Sequence, residues 1–243
     1  MPCPPPDRAD HYFSPAPGVA SAPRQVELVL PEGHLIRLAT DRGVFSADHV
    51  DVGTRILLVE GPPVAAGPAV LVDVGCGYGA VAITLALRSH PEATVWAVDV
   101  NERARGLCRT NARANGVGEK VRVVAPEDVP DGLLVDQIWS NPPIRVGKVS
   151  LHDLLTTWLD RLRRPDGHAS LVVHKHLGAD SLATWLTTEG WATERLVSRA
   201  GYRVLTVSAR TTPDPHEPGG ERRALAPDSP PSSRGSRDPS SAP

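Results

Sequence analysis

The chain has 243 residues, of which 40% are hydrophobic, enough for one domain with a substantial core. Its formal net charge of −2 excludes a globally basic surface for nucleic acid, so such a partner would have to contact local patches. The three cysteines lack Cys-x-x-Cys spacing, and there is no basic leader or apolar run of ~20 residues, so we expect a cytoplasmic protein without disulfides or a membrane span.

The two ends of the chain differ from its middle in composition. Residues 1–23 are rich in Pro and Ala, and we expect them to be largely disordered, although the aromatics within residues 11–15 favour docking of that stretch onto the core. Residues 211–243 are rich in Pro, Ser and Gly without apolar periodicity, which predicts a disordered tail. The domain is therefore expected at residues 24–210.

Alternating apolar and polar residues predict a β-hairpin over residues 25–38, with its turn at Pro31-Glu32-Gly33. A short helix over residues 55–60 follows, and residues 51–54 are expected to cap it. From residue 69 onward strands and helices alternate, which is the pattern of a doubly wound α/β sheet.

The predicted strands of this sheet cover residues 70–74, 94–98, 121–125, 135–139, 169–174, 192–197 and 202–209. The last two are separated by Arg199-Ala200-Gly201 and should pair antiparallel. A helix after the fourth strand is expected to begin with a capping box of Ser150 and Asp153. We therefore predict a mostly parallel seven-stranded sheet with an antiparallel last strand, preceded by the hairpin.

The first strand runs into a glycine-rich turn, Gly75-Cys76-Gly77-Tyr78-Gly79, which opens a helix. Glycines at the carboxyl end of a parallel strand let the backbone approach a nucleotide-like ligand, and the N–H groups of the turn are expected to face it. Gly75, Gly77 and Ala80 also satisfy the dinucleotide-binding fingerprint G-x-G-x-x-G/A. The glycine turn alone is therefore equally compatible with an NAD-dependent oxidoreductase.

Two carboxylates accompany this turn. Asp99 follows the adjacent strand, where nucleotide-binding α/β folds place a carboxylate that accepts ribose hydroxyls. The alternative role for Asp99 is to cap the next helix, but Asn101 is the better candidate for that. Asp73 lies inside an apolar strand, where an unpaired carboxylate is costly. We expect Asp73 either to hold N–H groups of the glycine turn or to face a ligand ammonium group.

A rigid corner, Asn141-Pro142-Pro143-Ile144, ends the fourth strand. This corner resembles the Asn-Pro-Pro-Tyr/Phe corner of amino methyltransferases, which modify exocyclic amines of bases or a side-chain amide. The resemblance implies that the Asn141 amide oxygen and the Pro142 carbonyl accept the two N–H bonds of such an amine, which orients its lone pair and stabilises positive charge developing on nitrogen. The prolines also remove N–H donors that would compete for these oxygens. Arg145, Lys148 and Lys175 are placed to contact phosphates of a nucleic-acid substrate.

These motifs resemble class I S-adenosylmethionine-dependent methyltransferases, through Asp73-x-Gly75-x-Gly77-x-Gly79 and Asp99. The stretch Ser140 to Lys148 is similar, more narrowly, to the single-domain branch of the small-domain 16S ribosomal RNA guanine-N2 methyltransferases, in which Ile follows the prolines. Further matching stretches lie at residues 11–14, 40–46, 50–54, 111–116 and 201–205.

The resemblance implies S-adenosylmethionine as the cofactor and ribosomal RNA or the small ribosomal subunit as the partner, with no metal, and leaves the oligomeric state open. Glu127 and Asp128 stand where the superfamily often binds the adenine amino group. The cofactor contacts implied or expected are Asp73, Gly75, Cys76, Gly77, Gly79, Asp99, Val100, Glu127, Asp128 and Asn141. Asn141, Pro142, Pro143 and Ile144 form the expected catalytic corner, and Arg145, Lys148 and Lys175 the expected RNA contacts.

Other readings share parts of this pattern. Protein-glutamine and DNA-adenine amino methyltransferases have the same Asn-Pro-Pro corner but normally follow it with an aromatic residue, so Ile144 counts against both. A non-catalytic RNA-binding protein is less favoured, because the glycines, Asp99 and Asn141 are all retained.

Overall fold

A computed structural model describes residues 19–210. The expectations for residues 11–15 and for the tail 211–243 fall outside the described residues. Residues 19–23 contain no helix or strand, yet they contact the domain, because Asp41 accepts hydrogen bonds from Ser21 Oγ (2.7 Å) and the Ala22 N–H (2.5 Å). The predicted start of the domain at residue 24 stays a prediction. No helix within the described range is long and apolar enough to cross a membrane.

The predicted hairpin is present as β1 (Arg24–Val29) and β2 (Leu35–Thr40), which form a separate two-stranded antiparallel sheet. Its alternating apolar side chains, such as Leu28 and Leu38, are buried in the core. Helix α1 (Val52–Glu60) begins three residues before the predicted start, because the Asp51 side chain accepts a hydrogen bond from the Thr54 N–H at 2.9 Å and caps it.

The main sheet has seven strands in the order β5-β4-β3-β6-β7-β9-β8. Pairing is parallel from β5 through β7, whereas β9 runs antiparallel to both of its neighbours, as predicted. The strands are β3 (Val70–Val74), β4 (Thr94–Val98), β5 (Val121–Val124), β6 (Gln137–Ser140), β7 (His168–His174), β8 (Ala192–Arg199) and β9 (Tyr202–Ser208).

Helices cover both faces of this sheet, and the period of two along each strand divides the core between them. In β3, Leu71 packs with the hairpin and the first three helices, whereas Val72 and Val74 pack with the last two helices. The remaining helices are α2 (Ala80–Arg88), α3 (Glu102–Ala114), α4 (Lys148–Leu159) and α5 (Ala179–Thr188).

Two predicted boundaries differ from the structure around the Asn-Pro-Pro corner. Helix α4 begins at Lys148 rather than after Ser150, because the chain turns into it through a short 3₁₀ turn and Gly147, whose φ of +95° a residue with a Cβ rarely adopts. The predicted capping box is therefore wrong. Val135 lies outside β6 and forms an isolated parallel bridge with Leu162.

The sheet order puts the glycine turn at a topological switch point. From β3 the chain proceeds outward through β4 and β5, and it then returns to the other side of β3 for β6 and β7. The carboxyl ends of β3, β4 and β6 consequently meet beside a crevice, which is where open α/β sheets bind ligands.

Asn111 ties the hairpin to the sheet from a fully buried position on α3. Its side chain exchanges hydrogen bonds with Ala39 N (2.7 Å) and Ala39 O (2.9 Å) in β2. It also donates to Tyr78 O in the glycine-rich turn at 2.8 Å. One amide thus fixes the hairpin, α3 and the turn relative to each other.

We expect Asn111→Ala to lower the free energy of unfolding by about 2–3 kcal/mol, because three buried backbone groups lose their partner. Urea denaturation measures this. Asn115→Ala is the matched control, since Asn115 is the less buried residue directly after α3, donates to one hairpin carbonyl (Arg37 O) and should cost less than about 1 kcal/mol. Equal losses in the two variants would contradict the linking role of Asn111.

Candidate functional site

A cavity of about 830 Å³ lies at the carboxyl edge of the sheet. Its walls come from the turn after β3, the end of β4, the corner after β6, the end of β7, the loop 44–46 and the beginning of α1. The lining includes Asp73, Gly75, Cys76, Gly77, Asp99, Val100, Asn141, Pro142, Pro143, Ile144 and Arg145. The structure therefore brings most of the predicted site residues together around one space.

The glycines of the turn have two different reasons to lack a side chain. Gly75 and Gly77 have φ values of +77° and +53°, and a Cβ on either one would meet no atom within 4 Å. Their glycines are therefore required by conformation, and they leave the cavity floor open to a ligand. At Gly79 a Cβ would lie 2.7 Å from Cys108 Sγ, so that glycine permits close packing of the turn against α3.

The N–H groups of this turn are mostly engaged within the protein, contrary to the expectation that they face a ligand. Val98 O at the end of β4 accepts hydrogen bonds from Gly75 N at 2.8 Å and Cys76 N at 3.0 Å. Gly77 N donates to Asp99 Oδ2 at 2.8 Å, and Gly79 N donates to Cys76 O at 2.9 Å. The turn thus offers shape and space rather than a set of free donors.

Asp99 lies beside this turn, with its carboxylate held by two backbone donors. In addition to Gly77 N, the Asn101 N–H donates to its Oδ1 at 2.8 Å. Burial raises the pKa of Asp99, and the two hydrogen bonds oppose that shift. Asn101 caps α3 by accepting from Ala104 N at 3.1 Å, so Asp99 is not needed as the cap. Each Asp99 oxygen keeps lone-pair capacity for a further donor.

Asp73 is 1% exposed and lines the cavity from within β3. Its Oδ2 accepts from Ala82 N at 2.9 Å in the first turn of α2, rather than from the glycine turn. Burial raises the pKa of Asp73 to about 8, and the neighbouring Asp99 charge adds to this. Asp73 is therefore a protonated acid at neutral pH, and a cation placed in the cavity would favour its ionisation.

At the corner, Asn141 has a defined orientation. Its Nδ2 donates to Asp51 Oδ2 at 2.8 Å and to Thr54 Oγ1 at 3.1 Å, both at the N-terminus of α1. The Asn141 Oδ1 has no hydrogen-bond partner among residues 19–210 and belongs to a side chain that lines the cavity. An acceptor oxygen is thus available at the corner.

The Pro142 carbonyl oxygen already accepts a hydrogen bond within the protein, contrary to expectation. The Ile144 N–H donates to Pro142 O at 2.8 Å across Pro143, whose φ of −74° and ψ of 74° form an inverse γ-turn. The idea that the prolines leave this carbonyl without a competing donor is therefore wrong, because the donor comes from the residue after them. A carbonyl accepts two hydrogen bonds, so one lone pair of Pro142 O stays available.

The cavity also contains residues that sequence reasoning did not assign to the site. Asp51 and Thr54 appeared as helix-capping residues, yet they hold the Asn141 amide. Tyr202 lines the cavity next to α1, since a Cβ on Gly53 would lie 2.7 Å from Tyr202 Cε1. The Tyr202 ring also meets the His174 ring edge-on, with centroids 4.8 Å apart. The sequence signal was the pattern Asp51-x-Gly53-Thr54, which resembled the family without indicating a role.

Five predicted contacts lie outside the cavity lining, and one of them is Gly79, which packs against α3 instead. Glu127 and Asp128 are exposed on a 3₁₀ turn whose first residue, Pro126, does line it. Lys148 and Lys175 are exposed, and within the described residues neither has an ion-pair partner. Their roles stay predictions. No group of three His, Cys, Asp or Glu residues in this part of the chain has an arrangement able to hold a metal ion.

Comparison with known proteins gives a consistent family. The model of the family described as "Methyltransferase small domain" matches residues 35–206. YbxB of Bacillus subtilis, an uncharacterized protein, is 34% identical over 178 residues, which cover 71% of this chain and 85% of the relative.

Two relatives with named activities match this chain over only part of their own length. Ribosomal RNA small subunit methyltransferase C of Shewanella denitrificans is 30% identical over 161 residues, 63% of this chain and 44% of the relative. Ribosomal RNA large subunit methyltransferase G of Streptomyces avermitilis is 35% identical over 147 residues, 56% of this chain and 36% of the relative. The chain thus spans less than half the length of these two methyltransferases.

Among solved structures, the T. thermophilus 16S rRNA N2 G1207 methyltransferase in complex with AdoMet and guanosine is similar to this fold. Its TM-score is 0.66 at 26% sequence identity, and the match covers 80% of this chain and 52% of that chain.

Asp73→Asn tests the raised pKa. In the folded protein this carboxyl has a pKa of about 8, whereas the ordinary value near 3.8 applies to the unfolded chain. The folded state therefore binds the extra proton between these values, so the contribution of Asp73 to stability is present below about pH 4 and is lost as the pH rises through 8. Asparagine does not ionise, so we expect the Tm of the variant relative to the original protein to rise by at least about 3 °C from pH 5 to pH 8.5.

Thermal unfolding without ligand at the two pH values measures this difference. The exposed Asp128→Asn variant is the control and should show the pH dependence of the original protein. An Asp73→Asn variant that also follows the original protein would contradict a carboxyl that stays protonated at neutral pH.

Proposed function

The chain belongs to the methyltransferase small-domain family, and from that premise we propose that it methylates the N2 amine of a guanine in 16S ribosomal RNA, with S-adenosylmethionine as the methyl donor. The observation that carries the proposal is the orientation of Asn141, whose amide oxygen is left free at the corner beside the glycine turn. That oxygen is an acceptor suited to an exocyclic amine.

The residues on the cofactor side fit this donor. Gly75 and Gly77 leave open space above the turn, where a Cβ would otherwise project. The Asp99 carboxylate has lone pairs for ribose hydroxyls, and Asp73 is the buried acid that a nearby cationic group would ionise. When bound, S-adenosylmethionine supplies a methyl group on a positively charged sulfur.

The acceptor side of the site orients the amine. The nitrogen lone pair of an exocyclic amine is delocalised into the ring, so the amine is a poor nucleophile until its protons are held out of plane. Asn141 Oδ1 and the remaining lone pair of Pro142 O accept these protons, which directs the nitrogen lone pair and stabilises the positive charge developing on nitrogen. The amine loses a proton after transfer, so a general base is not required.

The mouth of the cavity suits a nucleic-acid substrate. Arg145 lines it and is exposed, while Lys148 and Lys175 are exposed on the segments that follow β6 and β7. These three cations have no carboxylate partner among residues 19–210 and are available for phosphates. By contrast, Arg163 is paired with Asp136 at 2.7 Å. The target base must leave its stack to reach Asn141.

The choice of guanine N2 rests on likeness and on Ile144. The T. thermophilus structure is a 16S rRNA N2 methyltransferase with guanosine bound, and it is 26% identical to this chain over the matched region. Ile144 disfavours the protein-glutamine and DNA-adenine enzymes, which normally have an aromatic residue there. The S. avermitilis relative is named as a methyltransferase of large-subunit ribosomal RNA. The activity assay below therefore includes RNA of both ribosomal subunits.

Incubation with methyl-labelled S-adenosylmethionine and either small subunits, large subunits or naked ribosomal RNA tests the proposal. We expect label in N2-methylguanosine of 16S RNA, identified by mass spectrometry of nucleosides. Asn141→Ala should bind S-adenosylhomocysteine normally but turn over about 100-fold more slowly, because the amine loses its acceptor. Absence of label on every ribosomal substrate, with cofactor binding intact, would overturn the proposed substrate. An Asn141→Ala variant as active as the original protein would overturn the proposed role of Asn141.

Asp99→Ala should weaken binding of S-adenosylhomocysteine about 10- to 100-fold, because hydrogen bonds to a carboxylate are strong. Calorimetric titration measures this, with Glu102→Ala as the control, since Glu102 is an exposed acid at the start of α3. Thermal stabilisation by S-adenosylhomocysteine but not by NAD separates the proposal from an oxidoreductase. Unchanged affinity in Asp99→Ala would reject the ribose contact.

A further inference from the structure

Asp51 and Asn141 are joined directly at the acceptor end of the cavity. Asp51 Oδ2 accepts from Asn141 Nδ2 at 2.8 Å and from Thr54 N at 2.9 Å. A carboxylate only accepts hydrogen bonds, so the amide atom facing it is the nitrogen, and the amide orientation follows from chemistry. Asn141 Oδ1 is consequently on the side away from Asp51 Oδ2.

The other oxygen of Asp51 is unused. Asp51 Oδ1 has no hydrogen-bond partner and no ion pair in the described part of the chain, although Asp51 lines the cavity. Partial removal of a carboxylate from water without a partner is costly, so this oxygen is suited to a donor on a ligand. Two acceptor oxygens, from Asp51 and Asn141, therefore stand on adjoining side chains in one cavity.

Capping of α1 does not explain this arrangement. An N-cap needs one acceptor, and Asn and Ser serve as well as Asp. Asp51 Oδ2 already fulfils that role toward Thr54 N, which leaves Oδ1 without a structural function. The negative charge also raises the pKa of the nearby Tyr202, after the larger effect of burial, so the phenol stays protonated beside the carboxylate.

The bases differ in what they present to two adjacent acceptors. On the Watson–Crick edge, guanine places the N1–H donor next to the N2 amine. Adenine and cytosine place a ring-nitrogen acceptor next to their amine. A carboxylate oxygen beside such an acceptor is repulsive, because both atoms carry lone pairs. A pair of acceptors without a donor between them thus matches guanine.

We infer that Asp51 selects the target base, with its free oxygen accepting the N1–H of guanine while Asn141 Oδ1 accepts a proton of the N2 amine. This inference rests on the proposed function and names the residue that makes the site specific. The same hydrogen bond polarises the N1–H bond and increases the electron density on N2, so recognition also favours attack by the amine. Sites built to pair a particular polar group reject analogues that leave their own groups unpaired.

The test compares two nucleosides that share the N2 amine. Guanosine has an N1–H donor, whereas 2-aminopurine riboside has an N1 acceptor. Calorimetric titration of the full chain saturated with S-adenosylhomocysteine should show at least about tenfold tighter binding of guanosine. Asp51→Asn keeps the cap and presents an amide N–H where Oδ1 stood, so the preference should disappear or reverse.

Asp48→Asn is the matched control, because Asp48 is exposed in the same loop, is ion-paired with Arg24 and does not line the cavity. It should keep the original preference. Equal binding of the two nucleosides by the original protein, binding of neither, or an unchanged preference in Asp51→Asn would overturn the inference. Guanosine preference that depends on Asp51, without N2-methylguanosine in any ribosomal RNA, would instead reject the proposed function and leave the inference standing.

Discussion

The site depends on the hydrogen bonds that attach the glycine turn to the end of β4. Val98 O holds the N–H groups of Gly75 and Cys76, and Asp99 holds that of Gly77. These bonds force the turn into left-handed conformations that glycine adopts readily, and they leave the space above the turn open. Because Asp99 is fixed by the same contact, the turn and the carboxylate form one rigid wall, ready for a ligand before one arrives.

The opposite wall is built by contacts far apart in sequence. Asn141 is oriented by Asp51 and Thr54 at the start of α1, whose position follows from packing of that helix against β7 and β9. A single hydrogen-bonded carboxylate decides which end of the amide faces the cavity. The corner is therefore not a self-sufficient motif, because without α1 the Asn-Pro-Pro sequence does not determine the amide orientation.

The two carboxyls of the cavity, Asp73 and the partly buried Asp99, carry an electrostatic cost. Asp73 and Asp99 lie near each other, and burial raises the pKa of both. Protonation of Asp73 relieves the repulsion, and a cationic ligand would reverse it. The two carboxyls therefore destabilise the folded protein when no ligand is bound, and they attract a positively charged cofactor. Ionisable groups with shifted pKa values are often found at functional sites for this reason.

The sequence alone determined the architecture, because strong periodicity and turn residues predicted the hairpin, the alternating strands and helices of a doubly wound sheet and the antiparallel last strand. It also indicated Asp73, the glycines, Asp99 and Asn141, since chain order places strand ends at one edge of the sheet. Only the tertiary structure decided the start of α4 at Lys148, the partner of Asp73, the occupied Pro142 carbonyl and the pairing of Asp51 with Asn141. These features rest on contacts between distant residues or on backbone angles, and no local pattern of residue types specifies either.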